Sequence, residues 1–123
     1  WTSISLTNAL AIAYGGTGAK NAAAARTNLG IAATSLYNGT LTSGSITFNY
    51  GNYNFYVIIG RPSSTASRAS LVVPKIMLTT SAVSFQIADE SNYKSFNLSY
   101  SGSLVTLAIQ GGNGQINRVF GIN

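Results

Sequence analysis

Val83-Ser84-Phe85-Gln86-Ile87-Ala88-Asp89-Glu90-Ser91-Asn92-Tyr93-Lys94-Ser95-Phe96-Asn97-Leu98-Ser99-Tyr100-Ser101-Gly102-Ser103-Leu104-Val105-Thr106-Leu107-Ala108-Ile109 is the stretch on which the fold turns. In 83–88, Val83, Phe85 and Ile87 alternate with Ser84, Gln86 and Ala88. Successive side chains of a strand point to opposite faces, so this reads as a half-exposed strand. Asp89-Glu90-Ser91-Asn92 and Ser101-Gly102 are turn formers, and the runs they separate, 93–99 and 103–109, are rich in β-branched and aromatic residues.

The same punctuation extends outward. Strands are expected near 35–40, 45–49, 53–60 and 68–73 on one side and near 115–122 on the other, with turns at Thr42-Ser43-Gly44, Tyr50-Gly51-Asn52, Arg61 to Ser67 and Gly111-Gly112-Asn113-Gly114. About eight closely spaced strands with Gly/Asn/Ser turns predict a mainly β domain, an antiparallel β-sandwich of jelly-roll-like form, over residues 34–123. Two strands look apolar on both faces. In 53–60, Tyr53, Phe55, Val57 and Ile59 oppose Tyr56 and Ile58, and in 103–109, Leu104 and Ala108 oppose Val105, Leu107 and Ile109. Such strands are buried on both sides, so one face is expected to fill the protomer core and the other to meet neighbouring subunits. Phe48, Phe55, Phe85, Phe96 and Phe120 are expected in the core.

Composition narrows the chemistry. The 123 residues are 46% hydrophobic and only 7% charged, against about 25% charged in an average domain. Ser, Thr and Asn supply the polarity, as roughly a third of the chain, which suits exposed β-structure and sugar contact. The net charge of +5 comes from Lys20, Arg26, Arg61, Arg68, Lys75, Lys94 and Arg118 against Asp89 and Glu90. These cations are scattered, whereas a nucleic-acid binder gathers them on one face or helix. Without Cys or His there are no disulfides, no usual zinc sites and no Ser-His-Asp or Cys-His catalysis. No metal and no cofactor are expected. No apolar run approaches the roughly 18 residues of a membrane-spanning helix, and no signal peptide is visible at the start. The chain begins at Trp1 and is expected to be a piece of something longer.

Residues 1–33 differ in composition. Ala22-Ala23-Ala24-Ala25-Arg26-Thr27-Asn28-Leu29 predicts a helix of about two turns, with Asn21 as its N-cap and Gly30 in the left-handed position that ends it. A helix this short is marginal in water, and its small residues suit close packing of several copies around an axis. Gly15-Gly16-Thr17-Gly18-Ala19-Lys20 fails as a phosphate loop, because Ala19 separates Gly18 from Lys20 and Asn21 follows.

The string Leu10-Ala11-Ile12-Ala13-Tyr14-Gly15-Gly16-Thr17-Gly18-Ala19-Lys20-Asn21-Ala22-Ala23-Ala24-Ala25-Arg26-Thr27-Asn28-Leu29-Gly30-Ile31 resembles a motif of bacteriophage tail fibre proteins, a GGTGA turn followed by an AAAARTNLG helix. The remainder is similar to the C-terminal tips of such fibres in Leu36-Tyr37-Asn38-Gly39 and in the close Phe120-Gly121-Ile122. The resemblance implies a homotrimer on the virion, at the distal end of the tail fibre. Residues 1–33 would be its neck and 34–123 a tip that attaches to lipopolysaccharide, another host-surface glycan or an outer-membrane protein. No binding residue carries over by motif, because tip loops vary most within the family.

Strand direction supplies a candidate site. If 35–40 and 45–49 form a hairpin, one end of the domain collects the turns at 42–44, Arg61 to Ser67, Asp89 to Asn92 and Gln110 to Gly114, while the chain enters at the other. The expected receptor contacts are therefore Arg61, Ser63, Ser64, Arg68, Asp89, Glu90, Asn92, Tyr93 and Asn113. If 35–40 is not a strand, the ends swap and Tyr50, Asn52, Tyr53 and Tyr100 take their place. A glycosidase needs two carboxylates roughly 5 to 9.5 Å apart. Asp89 and Glu90 are adjacent and the chain has no other acid, so no enzyme activity is expected. The competing reading is a structural trimerisation or shaft module without receptor contact.

Overall fold

The computed structural model describes residues 10–12, 15–30 and 33–123, and the chain divides into two compact units at Ala32/Ala33. In the first unit, α1 (Ala22–Asn28) begins as its sequence requires, with the Asn21 side chain accepting from the Ala24 N–H at 2.8 Å. Leu29 caps its end rather than extending it, and Gly30 follows at φ +71. The glycine loop before α1 is tied at both ends. The Gly18 N–H donates to the Leu10 carbonyl at 2.8 Å, and the Asn28 side chain donates to the Thr17 carbonyl at 3.0 Å. No residue of α1 is buried in this chain, as an Ala face with little apolar area dictates.

The second unit contains β1 (Ala33–Leu41), β2 (Ser45–Asn49), β3 (Phe55–Arg61), β4 (Ala69–Pro74), β5 (Val83–Ala88), β6 (Tyr93–Ser101), β7 (Leu104–Gly112) and β8 (Gln115–Ile122). A short 3-10 turn, Lys75–Met77, follows β4. The strands form two antiparallel four-stranded sheets, β1-β8-β3-β4 and β2-β7-β6-β5. Both sheets feed one core. Tyr56, Ile58, Val73, Ile116 and Val119 come from the first, and Phe48, Ile87, Phe96, Leu98, Val105 and Leu107 from the second.

Two irregularities serve that core. A register shift between Ser35 and Tyr37 lets consecutive Leu36 and Tyr37 both pack against it, and a shift opposite Ile59 and Gly60 buries both Ile116 and Asn117. A bulge leaves two residues facing one, which breaks strict alternation locally. At Gly60 a Cβ would lie 2.5 Å from the Gln115 carbonyl oxygen, so the close approach of β3 and β8 there requires glycine.

The outward faces of the two sheets differ in kind. On the second sheet, Ser84, Gln86, Ser95, Asn97, Ser99, Thr106, Thr47 and Ser45 alternate with the core residues. On the first sheet, Phe55, Val57 and Ile59 of β3 are half-buried. The ladders place them beside Val72 and Pro74 on one side and Phe120 and Ile122 on the other. Val72 is 56% exposed. Phe48 and Phe96 are core residues and Phe85 packs against that core, stacked on Phe96, but the expectation for Phe55 and Phe120 is corrected. Their parity puts them opposite Tyr56 and Val119, on the outer face. The two-sided reading of 103–109 is also corrected. Val105 and Leu107 are buried, Ile109 packs partly against the core, and the opposing positions are Leu104, Thr106, Ala108 and Gln110, of which Leu104 is 45% exposed.

Candidate functional site at the turn end

The expected hairpin of 35–40 and 45–49 is corrected, because β1 pairs with β8 and β2 with β7 in different sheets; the chain still reverses between them, so strand direction alternates from β1 to β8. One end of the unit holds the β1–β2, β3–β4, β5–β6 and β7–β8 turns. Ala33 and Ile122 pair with each other at the opposite end. All nine expected contact residues, Arg61, Ser63, Ser64, Arg68, Asp89, Glu90, Asn92, Tyr93 and Asn113, belong to this turn end.

Its four turns are cross-tied. The β5–β6 turn is organised by Asp89, whose carboxylate accepts from the backbone N–H of Ser91 at 3.0 Å and of Asn92 at 2.8 Å. These two bonds, Ser91 first, hold its carboxyl below the usual carboxylate range. The Asn113 side chain of the β7–β8 turn donates to the Asn92 side-chain oxygen at 3.3 Å, and the Gly114 N–H donates to the Tyr93 carbonyl at 3.0 Å. A Cβ at Gly114 would run into the Arg61 and Pro62 carbonyls, so the β3–β4 and β7–β8 turns also touch. Lys94 secures the β1–β2 turn. Its ammonium, buried with the residue at 2% exposure, donates to the Thr42 carbonyl at 2.9 Å and the Gly112 carbonyl at 2.7 Å.

The nine residues are not equally free. Arg61 donates from Nη1 to the Ser64 carbonyl at 3.2 Å, and its buried Nε has no partner among the described residues. The Ser63 hydroxyl accepts from the Ala66 N–H at 3.2 Å, which shapes the β3–β4 loop. Asp89 is committed to its own turn. Ser64, Arg68, Glu90, Tyr93 and Asn113 present exposed side chains, with Tyr93 45% exposed. The structure thus brings Asn92, Tyr93 and Asn113 together. Arg68 lies just before β4, one step beyond the Gly60/Ala69 pair.

The alternative set sits at the opposite end and is largely occupied by packing. Tyr50 and Tyr100 stack with centroids 4.7 Å apart, and the Lys75 ammonium lies 3.9 Å from the Tyr50 ring centroid and donates to the Gly51 carbonyl. Tyr53 lies against Gly121, where a Cβ would be 2.6 Å from its ring. Asn52 is exposed there.

Two features of the turn end escaped sequence reading. Lys94 counted only as one scattered cation, yet it shares parity with Phe96 and Leu98, and a lysine on the inward face of a strand is a signal of a buried tie. Gly111 and Gly112 read as turn residues, but they end β7 beside β6 and lie next to Tyr93. Comparison with protein-family models, with curated proteins and with solved structures finds no match to this chain.

Proposed function

We propose that this chain is the receptor-binding tip of a bacteriophage tail fibre, which attaches the virion to a glycan of the bacterial surface, lipopolysaccharide in the first instance. It works by binding and carries out no catalysis. The tip has jelly-roll-like sandwich form and acts as a homotrimer, with the outer face of the first sheet turned toward neighbouring subunits.

One observation carries the reading. Four cross-tied polar turns, with the exposed side chains of Tyr93, Asn113, Arg68 and Glu90, gather at the end of the unit opposite Ala33, through which residues 1–32 join it. A fibre that enters at one end offers the other to its host. The polarity of that end is mostly Ser and Asn, and hydroxyl and amide groups match the hydroxyls of sugars. The net charge of +5 favours approach to an anionic bacterial surface.

The test is adsorption of the purified, fluorescently labelled chain to a panel of Gram-negative cells and to their lipopolysaccharide mutants. Binding to at least one strain is expected, with its loss in Arg61→Ala and Tyr93→Ala variants of unchanged mass. A folded trimer that adsorbs to no strain is the result of a structural trimerisation module. Adsorption that survives both substitutions moves the receptor contact elsewhere.

A further inference from the structure

At the start of β6, Tyr93 falls on the outward face of the second sheet, the face of Ser95 and Asn97, and pairs with Ala88 of the edge strand β5. On its other side lie Gly111 and Gly112. Those glycines have no side chains to stand between the ring and the sheet. A Cβ at Gly112 would meet Tyr93 Cδ2 at 2.8 Å, and one at Gly111 would stand 3.9 Å from the Tyr93 hydroxyl. The ring therefore runs along the glycine pair, resting on backbone, and the side chain keeps 45% of its surface exposed. Gly112, at φ +96, is in a conformation that disfavours any side chain.

Polar groups rim this ring. Asn113 donates one N–H to the Asn92 side-chain oxygen, which leaves its second N–H and its amide oxygen available, while the Asn92 amide also serves the Asp89 carboxylate. The Ser95 hydroxyl sits 3.8 Å from the same Gly111 position and donates to the Gly111 carbonyl at 3.5 Å. The result is an aromatic surface with a donor and an acceptor beside it, held by the Gly114 backbone bond and by the Lys94 ammonium on the Gly112 carbonyl.

We infer that Tyr93, lying on Gly111–Gly112 and flanked by Asn92, Asn113 and Ser95, is a subsite for a single pyranose ring, which stacks its C–H face on the phenol and places its equatorial hydroxyls against the Asn113 amide. An aromatic ring offers rigid, amphipathic area at low entropic cost, and the paired donor and acceptor are the complement of vicinal hydroxyls. A glycine floor keeps the platform flat. The inference rests on the glycan-attachment reading and makes it specific, since it names the sugar contact and its geometry.

The test is a nuclear magnetic resonance titration of the whole isotope-labelled chain with the methyl α- and β-pyranosides of glucose, galactose, mannose and N-acetylglucosamine. At least one pyranoside is expected to shift the Tyr93 ring signals together with the Asn92 and Asn113 side-chain amides. The shifts should vanish in Tyr93→Ala, persist in Tyr93→Trp, and weaken in Gly111→Val, whose added bulk lifts the ring. Tyr93 is exposed, so its replacement leaves the core intact, and an unchanged amide spectrum elsewhere verifies this. Shifts that appear only at other tyrosines, shifts that survive Tyr93→Ala, or none with any pyranoside overturn the subsite. Cell adsorption without a Tyr93 response leaves attachment standing and removes this site. A Tyr93 response to sugar combined with adsorption indifferent to Tyr93→Ala keeps the subsite and removes its role in attachment.

Discussion

Tyr56 is fully buried, and it is a phenol. Its hydroxyl donates to the Tyr50 carbonyl at 2.5 Å, and its ring packs edge-on to Tyr53 and tilted against Phe48. Burial, with smaller contributions from the neighbouring Tyr50 and Tyr53, pushes its pKa from 10.0 up to about 12. A group whose folded pKa is raised binds its proton more tightly in the native state. Its stabilising contribution is complete below the unfolded value of 10.0 and is lost as pH rises toward about 12. Urea unfolding followed across that window should show declining stability in the wild-type chain and a shallower decline in Tyr56→Phe. The same substitution should cost about 1 kcal/mol at neutral pH through the lost hydrogen bond. Sequence placed Tyr56 on the correct strand and opposite Phe55, because parity is local. It did not reveal that the Tyr56 face was the inward one, because both faces of 53–60 are apolar.

Strand and turn positions were legible for the same local reason. The segments 45–49, 83–88 and 115–122 coincide with β2, β5 and β8, and α1 starts at its predicted cap. The other strands differ by one or two residues at their ends, or three at the end of β7, where ladder partners rather than propensity decide how far pairing runs. What joins the elements at the turn end was less visible. Lys94 reaches Thr42, far away in sequence, and burial lowers its pKa by disfavouring the charge. Lys94→Met keeps the apolar stem and deletes the ammonium, so two carbonyls lose a charged donor. The expected cost is about 2–3 kcal/mol in urea unfolding. Hydrogen exchange should quicken at the β1–β2 and β7–β8 turns, with little change at the 102–103 turn at the far end.

At the scale of the whole unit, the two outward faces differ in chemistry. Phe55, Val57, Ile59, Val72, Phe120 and Ile122 lie together on the first sheet, whereas the second sheet shows Ser, Thr, Asn and Gln at most corresponding positions. Arg118 lies with its guanidinium carbon 4.7 Å from the Phe120 ring centroid, and its buried Nε has no acceptor among the described residues. On the trimer reading, a neighbouring subunit covers this apolar face and supplies that acceptor. Val72→Asp should then weaken association by two orders of magnitude or more, on the order of 3 kcal/mol. Thr47→Asp, on the polar face, should leave the mass unchanged. Light scattering with circular dichroism on both variants checks this, and a monomeric wild-type chain rejects the arrangement.

By itself the sequence determined the elements. Alternation marked the strands, Gly and Asn marked the turns, and the reversal of chain direction at each turn assigned it to one of two ends, because all three depend on neighbours along the chain. Only the tertiary structure decided which side of a doubly apolar strand is core. It turned Phe55 and Phe120 outward, drew Lys94 inward to Thr42, and laid Tyr93 along Gly111 and Gly112. Those outcomes depend on which strands become partners and how two sheets share one core, and such long-range pairings leave no periodicity in the segments they join. The turn end was legible as a place. Its ties, and the ring on which a sugar is expected to rest, come from contacts between strands that sequence spacing does not record.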